Sequence, residues 1–393
     1  MRRADDELFD FPFLAGFECS DHLLADGRRL DLLGSTCHDR FALRDYTRMA
    51  ALGIQACREG VSWVRSEPRA RSYDFSCAAR RLRAAQASGV HVLWDLMHFG
   101  YPAGVDLLSP AFPSRFGCYA RAFARFLDAH GDGPVVITPI NEISFFAWAG
   151  GEVGCMNPFA LARGVELKAQ LVRATIEAIE AVRSVIPGAR FLQPEPLIQI
   201  VADPAHPRTF RRVECDNLLQ YQAWEMLSGA VWPLLGGRAS YLDLLGVNYY
   251  PDNQFMLDGT TIERGDARYR PLSSMLLEVH ARYRRPMIIS ETGTEGEPRA
   301  AWLRYVCEQS LAAMRGGCPL HAITLYPILN HPGWNDDRHC HNGLWGYPDV
   351  DGERAVHLPL RGEILAQAPR LRAERGRLLQ TPAPNPACEA PAQ

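Results

Sequence analysis

Apolar residues in this chain gather in short unbroken runs, and after each run comes a longer stretch whose apolar positions recur at three- and four-residue spacing. Unbroken runs are the signature of strands buried on both faces, and the spaced stretches that of amphipathic helices. Eight runs are therefore expected to be strands: 13–18, 54–60, 90–98, 135–142, 191–195, 242–250, 286–291 and 321–326. The run 90–98 reads as strand throughout. Helices are expected at 45–52, 77–87, 116–127, 158–185, 214–226, 273–283, 299–314 and 360–375; Gly53, Gly89 and Pro187-Gly188 close three of them. Strand and helix alternating at intervals of about 40 residues predict an α/β fold, a (β/α)8 TIM barrel, rather than a sheet with separate layers. Residues 1–379 are expected to form that barrel as one domain, and the Pro- and Ala-rich stretch 380–393 a disordered tail. A doubly wound sheet is the alternative. Its dinucleotide fingerprint is missing, because Gly150-Gly151-Glu152-Val153-Gly154 does not match G-x-G-x-x-G.

In a barrel the C-terminal ends of all strands open into one cavity. By that rule the cavity receives Arg58, Glu59, His98, Asn141, Glu142, Glu195, Asn248, Tyr249, Tyr250 and Glu291, together with the loop residues Trp334, Asn335, Asp336 and Trp345. Carboxylates, an arginine, a histidine and aromatics fill a structural core badly. They line a sugar site well, since carboxylates and amides bind hydroxyls while indoles cover C–H faces. Two runs end alike, at Asn141-Glu142 and at Ser290-Glu291, and two carboxylates facing each other across a barrel can supply the two roles of acetal hydrolysis. One strand-end glutamate alone is as readily the partner of an arginine as a reacting group. Glu195 fits three roles: a ligand to substrate, a salt bridge to an arginine, or the second acid. His98 is expected to donate to a substrate hydroxyl.

Charge narrows the partners. Across 393 residues the formal net charge is -3 and arginines are scattered among acids, which argues against nucleic acid. No stretch has the length of a membrane span, and the acidic start Met1 to Glu7 is unlike a secretory signal, so a cytoplasmic location is expected. Eleven cysteines form no CxxC pair and are expected as packed thiols. The nearest approach to a ligand cluster, His339-Cys340-His341 with His331 and Asp336 or Asp337, lacks zinc spacing; neither metal nor cofactor is expected. Competing readings on the same barrel are a carbohydrate-binding protein without chemistry, a metal-dependent hydrolase or isomerase, and an inverting hydrolase.

Several segments resemble the family 1 glycoside hydrolases, the β-glucosidase family of the retaining (β/α)8 clan. Ile137-Thr138-Pro139-Ile140-Asn141-Glu142-Ile143 is similar to its acid/base segment, and Ile289-Ser290-Glu291-Thr292-Gly293 to its nucleophile segment. Leu245 to Tyr250, Arg58 with Ser62-Trp63-Val64-Arg65, and Leu96 to Pro102 resemble further segments, so the likeness extends from Phe13 to Asp349. The resemblance implies Glu142 as general acid/base and Glu291 as nucleophile. It also implies Asn141 on the hydroxyl beside the anomeric carbon, His98 on the far side of the ring, and Arg58 with Tyr250 orienting Glu291. After the eighth strand the family carries tryptophan and then glutamate-tryptophan, where this chain has Tyr326 and Gly333-Trp334. Likeness and departure together imply a divergent, retaining, exo-type hydrolase acting on a small glycoside or oligosaccharide, expected to be a β-glycoside other than a simple glucoside. Asn335, Asp336 or Glu195 would replace the lost contact.

Overall fold

In a computed structural model, residues 11–380 are described, and eight parallel strands close into a barrel in strictly sequential order. The strands are β1 (Phe13–Gly16), β2 (Ala56–Gly60), β3 (His91–Asp95), β4 (Val136–Thr138), β5 (Arg190–Pro196), β6 (Leu244–Asn248), β7 (Met287–Thr292) and β8 (Leu320–Leu325). Helices follow them on the outside: α1 (His38–Ala51), α2 (Ser76–Ser88), α3 (Phe112–His130), α4 (Gly164–Arg183), α5 (Gln222–Ser228), α6 (Leu272–Tyr283), α7 (Arg299–Arg315) and α8 (Leu358–Gln380). This is the expected (β/α)8 TIM barrel. None of the described helices is long and apolar enough to cross a membrane. The stretch expected as a tail lies outside the described residues from 381 onward, and Gln380 ends α8.

Strand alternation sets what fills the interior. One residue from each strand, Leu14, Ala56, Leu93, Val136, Leu192, Leu244, Ile288 and Ala322, meets the others in a buried apolar layer across the barrel floor. Two residues further along most strands the same face carries Gly16, Arg58, Asp95, Thr138 and Ser290, so the interior turns polar toward the C-terminal mouth. The opposite faces carry Phe13, Cys57, Trp94, Ile137, Leu245 and Ile289 outward into the larger core under the helices.

Several elements depart from expectation, each for a local reason. β3 stops at Asp95 instead of running to His98, because the chain turns at Phe99, whose φ is 73°. β4 is only three residues long, since Pro139 has no amide to continue the ladder. The long helix begins at Gly164 rather than 158; a one-turn π-helix over Ala147–Glu152 and left-handed residues Phe159 and Ala162 come first. Expected helix 214–226 is broken by a 3-10 turn. There the Asn217 and Gln220 side chains leave the helix to hold the backbone of Ile200 and Ile198.

Candidate active site

Arg58 stands on the inward face of β2 and is only 2% exposed. Its Nη1 donates to Glu291 Oε1 at 2.8 Å and to the Ser290 carbonyl at 2.9 Å; Nη2 donates to Asp95 Oδ2 and Asn141 Oδ1, both at 3.0 Å. The Tyr326 ring lies against the guanidinium, 5.4 Å away. Simple alternation would put Ser290 inside and Glu291 outside, in phase with Ile288. A register shift between β6 and β7, where Val247 faces Ile289 but Asn248 faces Glu291, brings both inward. Glu291 then accepts from the Tyr250 hydroxyl at 2.9 Å through its second oxygen.

Glu142 enters from the turn after β4. The Asn248 amide donates to its Oε1 at 2.9 Å, and Asn248 Oδ1 in turn accepts from Ser290 Oγ at 2.5 Å, so β6 and β7 tie the two glutamates into one network. Glu142 keeps some accessible surface, yet the protein packed around its carboxyl raises the pKa to about 8. The neighbouring Glu291 charge adds to that rise, the Asn248 bond opposes it, and Glu195 contributes a smaller increase.

His98 is buried beside Asp95 and Asn141. Its Nδ1 lies 3.0 Å from Asp95 Oδ2, its Nε2 3.3 Å from Asn141 Nδ2 and 4.0 Å from Glu18 Oε1. Burial by itself pushes the imidazole down, but the Cys19 sulfur and the Asp95 carboxylate bring it well above its ordinary value. Because burial pushes the Cys19 thiol up to about 11, that sulfur is neutral near pH 7 and Asp95 is the effective partner. Among the described residues, Cys19, Asp95 and His98 form the one set of possible metal ligands, their ligating atoms all within 4.8 Å of one another. The Asp95 carboxylate of that set already binds the Arg58 guanidinium, and a cation so close to that guanidinium is electrostatically unfavourable.

The structure thus brings together Arg58, His98, Asn141, Glu142, Asn248, Tyr250 and Glu291. Trp334 reaches the rim, edge-on to His22 and Phe99 with ring centroids 4.9 and 5.8 Å apart. Asn335 and Asp336 do not join the buried group: both are exposed, and Asp336 pairs with Arg338 at 3.2 Å. Glu59 points the other way, between β2 and the helices, beside Arg81 and His38. Tyr249 also faces outward, its hydroxyl 2.7 Å from that of Tyr269, and Trp345 is packed in the core. Glu195 is buried on β5 behind Glu142, where its oxygens accept from the Ser144 amide at 3.0 and 3.3 Å. Two site residues escaped the sequence reading. Asp95 sits in an apolar run, and its signal was a charge in phase with the inward-facing Leu93; Glu18 lies two residues beyond Gly16 on the inward side of β1.

No family model matches the sequence, and no curated protein does. Many solved structures share the fold. A β-glucosidase from Thermotoga maritima, solved in complex with deoxynojirimycin, superposes with a TM-score of 0.73 at 14% identity, covering 93% of this chain and 98% of that one. The AHE enzyme from Alicyclobacillus herbarius gives 0.72 at 16% identity, with 91% and 98% covered. A hyperthermophilic β-glucosidase mutant gives 0.71 at 16%, with 90% and 99% covered. At such identities the likeness speaks for the barrel and its proportions.

Proposed function

We propose that this protein is a retaining, exo-type glycoside hydrolase that cleaves a small β-glycoside or oligosaccharide, with Glu142 as acid/base and Glu291 as nucleophile. One observation carries the reading: two carboxyls in one pocket stand in opposite surroundings. Glu291 has a guanidinium donating to one oxygen and a phenol to the other, which hold both oxygens in place. Glu142 has burial and a neighbouring negative charge, which keep its proton on up to about pH 8. A carboxyl that keeps its proton beside one bonded to a guanidinium is the division of acid and nucleophile that the proposed reaction needs.

In the first step the Glu142 proton passes to the glycosidic oxygen, the bond from that oxygen to the anomeric carbon breaks, and a Glu291 oxygen bonds to that carbon. The aglycone leaves as an alcohol. In the second, water attacks the same carbon from the vacated side, its proton goes to Glu142, and Glu291 is released with net retention. Asn141 and His98 would hold glycone hydroxyls, and Arg58 and Tyr250 would orient Glu291. Gly333 offers no side chain to the sugar, and Asp336 nearby is exposed; both favour a glycone that differs from glucose at the 4- or 6-position. NMR of the first-formed product tests the mechanism. The retained anomer is expected; the inverted one would mean that water attacks directly, with the carboxyls about 6.5–9.5 Å apart rather than about 5–5.5 Å.

A further inference from the structure

The turn that carries Glu142 is held from outside itself. Glu142 occupies the capping position of the short helix Ile143–Phe146, where a side-chain oxygen ordinarily accepts from an amide two or three residues on. Glu142 makes no such bond, and its backbone is left-handed, with φ 44° and ψ 63°, a conformation seldom held by a side chain of this kind. Two neighbours on β5 take up the slack. The Glu142 amide donates to the Pro194 carbonyl at 3.2 Å, and the Ser144 amide donates to both oxygens of Glu195.

From this we infer that Glu195 is a positioning residue: it caps the helix in place of Glu142 and thereby leaves the Glu142 carboxyl free to face the cavity. The inference rests on Glu142 being the acid/base. Glu195 is 2% exposed, and no arginine or lysine among the described residues forms an ion pair with it. Lys168 on α4 attracts the Glu195 carboxyl by its charge but gives its hydrogen bond to the Leu219 carbonyl at 3.4 Å. A buried carboxyl is costly to keep without a donor, so the Ser144 amide gives it a definite purpose. Without Glu195 the closest acceptor for that amide is Glu142 itself, in the usual manner of a capping residue. Glu142 would then leave Asn248 and swing away from the leaving oxygen.

The test uses leaving groups of different quality, because a good one departs without a proton and a poor one needs it. The probes are the phenyl and 2,4-dinitrophenyl β-glycosides of whichever of glucose, galactose, fucose and mannose the native protein hydrolyses fastest. Glu195→Ala should lose about 10²-fold in kcat/KM on the phenyl glycoside, within the range of acid catalysis, and about threefold or less on the dinitrophenyl one. Glu195→Gln, which keeps an acceptor for Ser144, should restore the phenyl rate to within about threefold of native if capping is its role. If the alanine variant does not fold, Glu195→Asp, which withdraws the carboxylate by one methylene, should show the same split. Equal loss on both probes, or no loss on either, overturns the inference. Glu142→Ala is the reference: should it lack the split, or should the native protein hydrolyse none of the glycosides, the acid/base reading itself fails.

Discussion

The two faces of β2 carry nearly the same chemistry to different ends. On the inner face Arg58 meets Glu291 and Asp95, with His98 beside them. On the outer face, one residue on, Glu59 meets Arg81 at 2.9 Å and His38 at 3.3 Å and accepts from the Tyr46 hydroxyl at 3.0 Å; His38 continues to Asp45, and Asp45 to Arg354. Each network has arginine, carboxylates, a histidine and a phenol, all buried. They differ in what is left over. Outside, each acid has cationic partners on both sides, and Glu59 and Asp45 are held below the usual carboxylate range despite their burial. Inside, one carboxyl, that of Glu142, has no cation bonded to it and is pushed up to about 8. A matched buried network fastens helices to the barrel, whereas a mismatched one leaves a proton on a carboxyl, which is what the acid role proposed above requires. Composition alone does not separate them.

That contrast can be broken first at Glu291. Glu291→Gln should lower kcat/KM by on the order of 10⁴-fold or more, as removal of the proposed nucleophile would, with a stability loss smaller than at the outer face because Arg58 keeps Asp95 as its anion. A large loss of stability with modest loss of rate would place the inner network with the outer one. The opposite pattern belongs to the outer face. Glu59→Gln should cost about 3–5 kcal/mol, the penalty for leaving Arg81 and His38 buried without their shared anion, while kcat/KM stays within a few fold of native. Denaturant titration and steady-state kinetics on one preparation would decide it; a rate loss larger than the stability loss would contradict the assignment.

Three pH predictions sharpen the comparison further. The basic limb of kcat/KM should fall near pH 8, where Glu142 loses its proton. In Glu291→Gln, carbon NMR of labelled glutamate should find the Glu142 pKa lower than native, since one of the influences raising it has gone; an unmoved value would mean that the two carboxyls do not sense each other. The smallest effect is on stability. Burial pushes His38 down, but Glu59 and Asp45 more than reverse this, so its folded pKa is above its unfolded value. Its contribution is therefore fully present below about pH 6.5 and is lost as pH rises through the raised value. Glu59 and Asp45 have lowered folded values, so their share is present above their unfolded values and is lost as pH falls through the folded ones. Melting temperature should decline gently on the alkaline side, and His38→Asn should flatten that slope; an identical slope in the variant would remove His38 from the account.

The sequence made the barrel legible because strands buried on both sides are written as unbroken apolar runs, and Glu142 and Glu291 stood out as acids at the ends of such runs. The same property hid the rest. In a strand apolar on both faces nothing marks which residue points inward, so Arg58 and Glu59 looked equivalent and Tyr249 looked like Tyr250. The irregularity that turns Glu291 inward depends on pairing between β6 and β7, which no single segment records. Asp95 was concealed by its apolar neighbours. Glu195 was visible as an acid at a strand end, but its partner is a backbone amide on another element, and amides leave no trace in a sequence pattern.

The apolar layer across the barrel floor has a consequence for traffic. Eight side chains, one from each strand, stopper the barrel just below Arg58, so the two glutamates cannot be reached along the barrel axis from the far end. Under the reading proposed above, a substrate therefore comes and goes at the C-terminal mouth and never along the barrel axis. With the chemistry proposed above, the glycone bonded to Glu291 stays above that floor while the aglycone leaves through the mouth, and water must arrive by the same side.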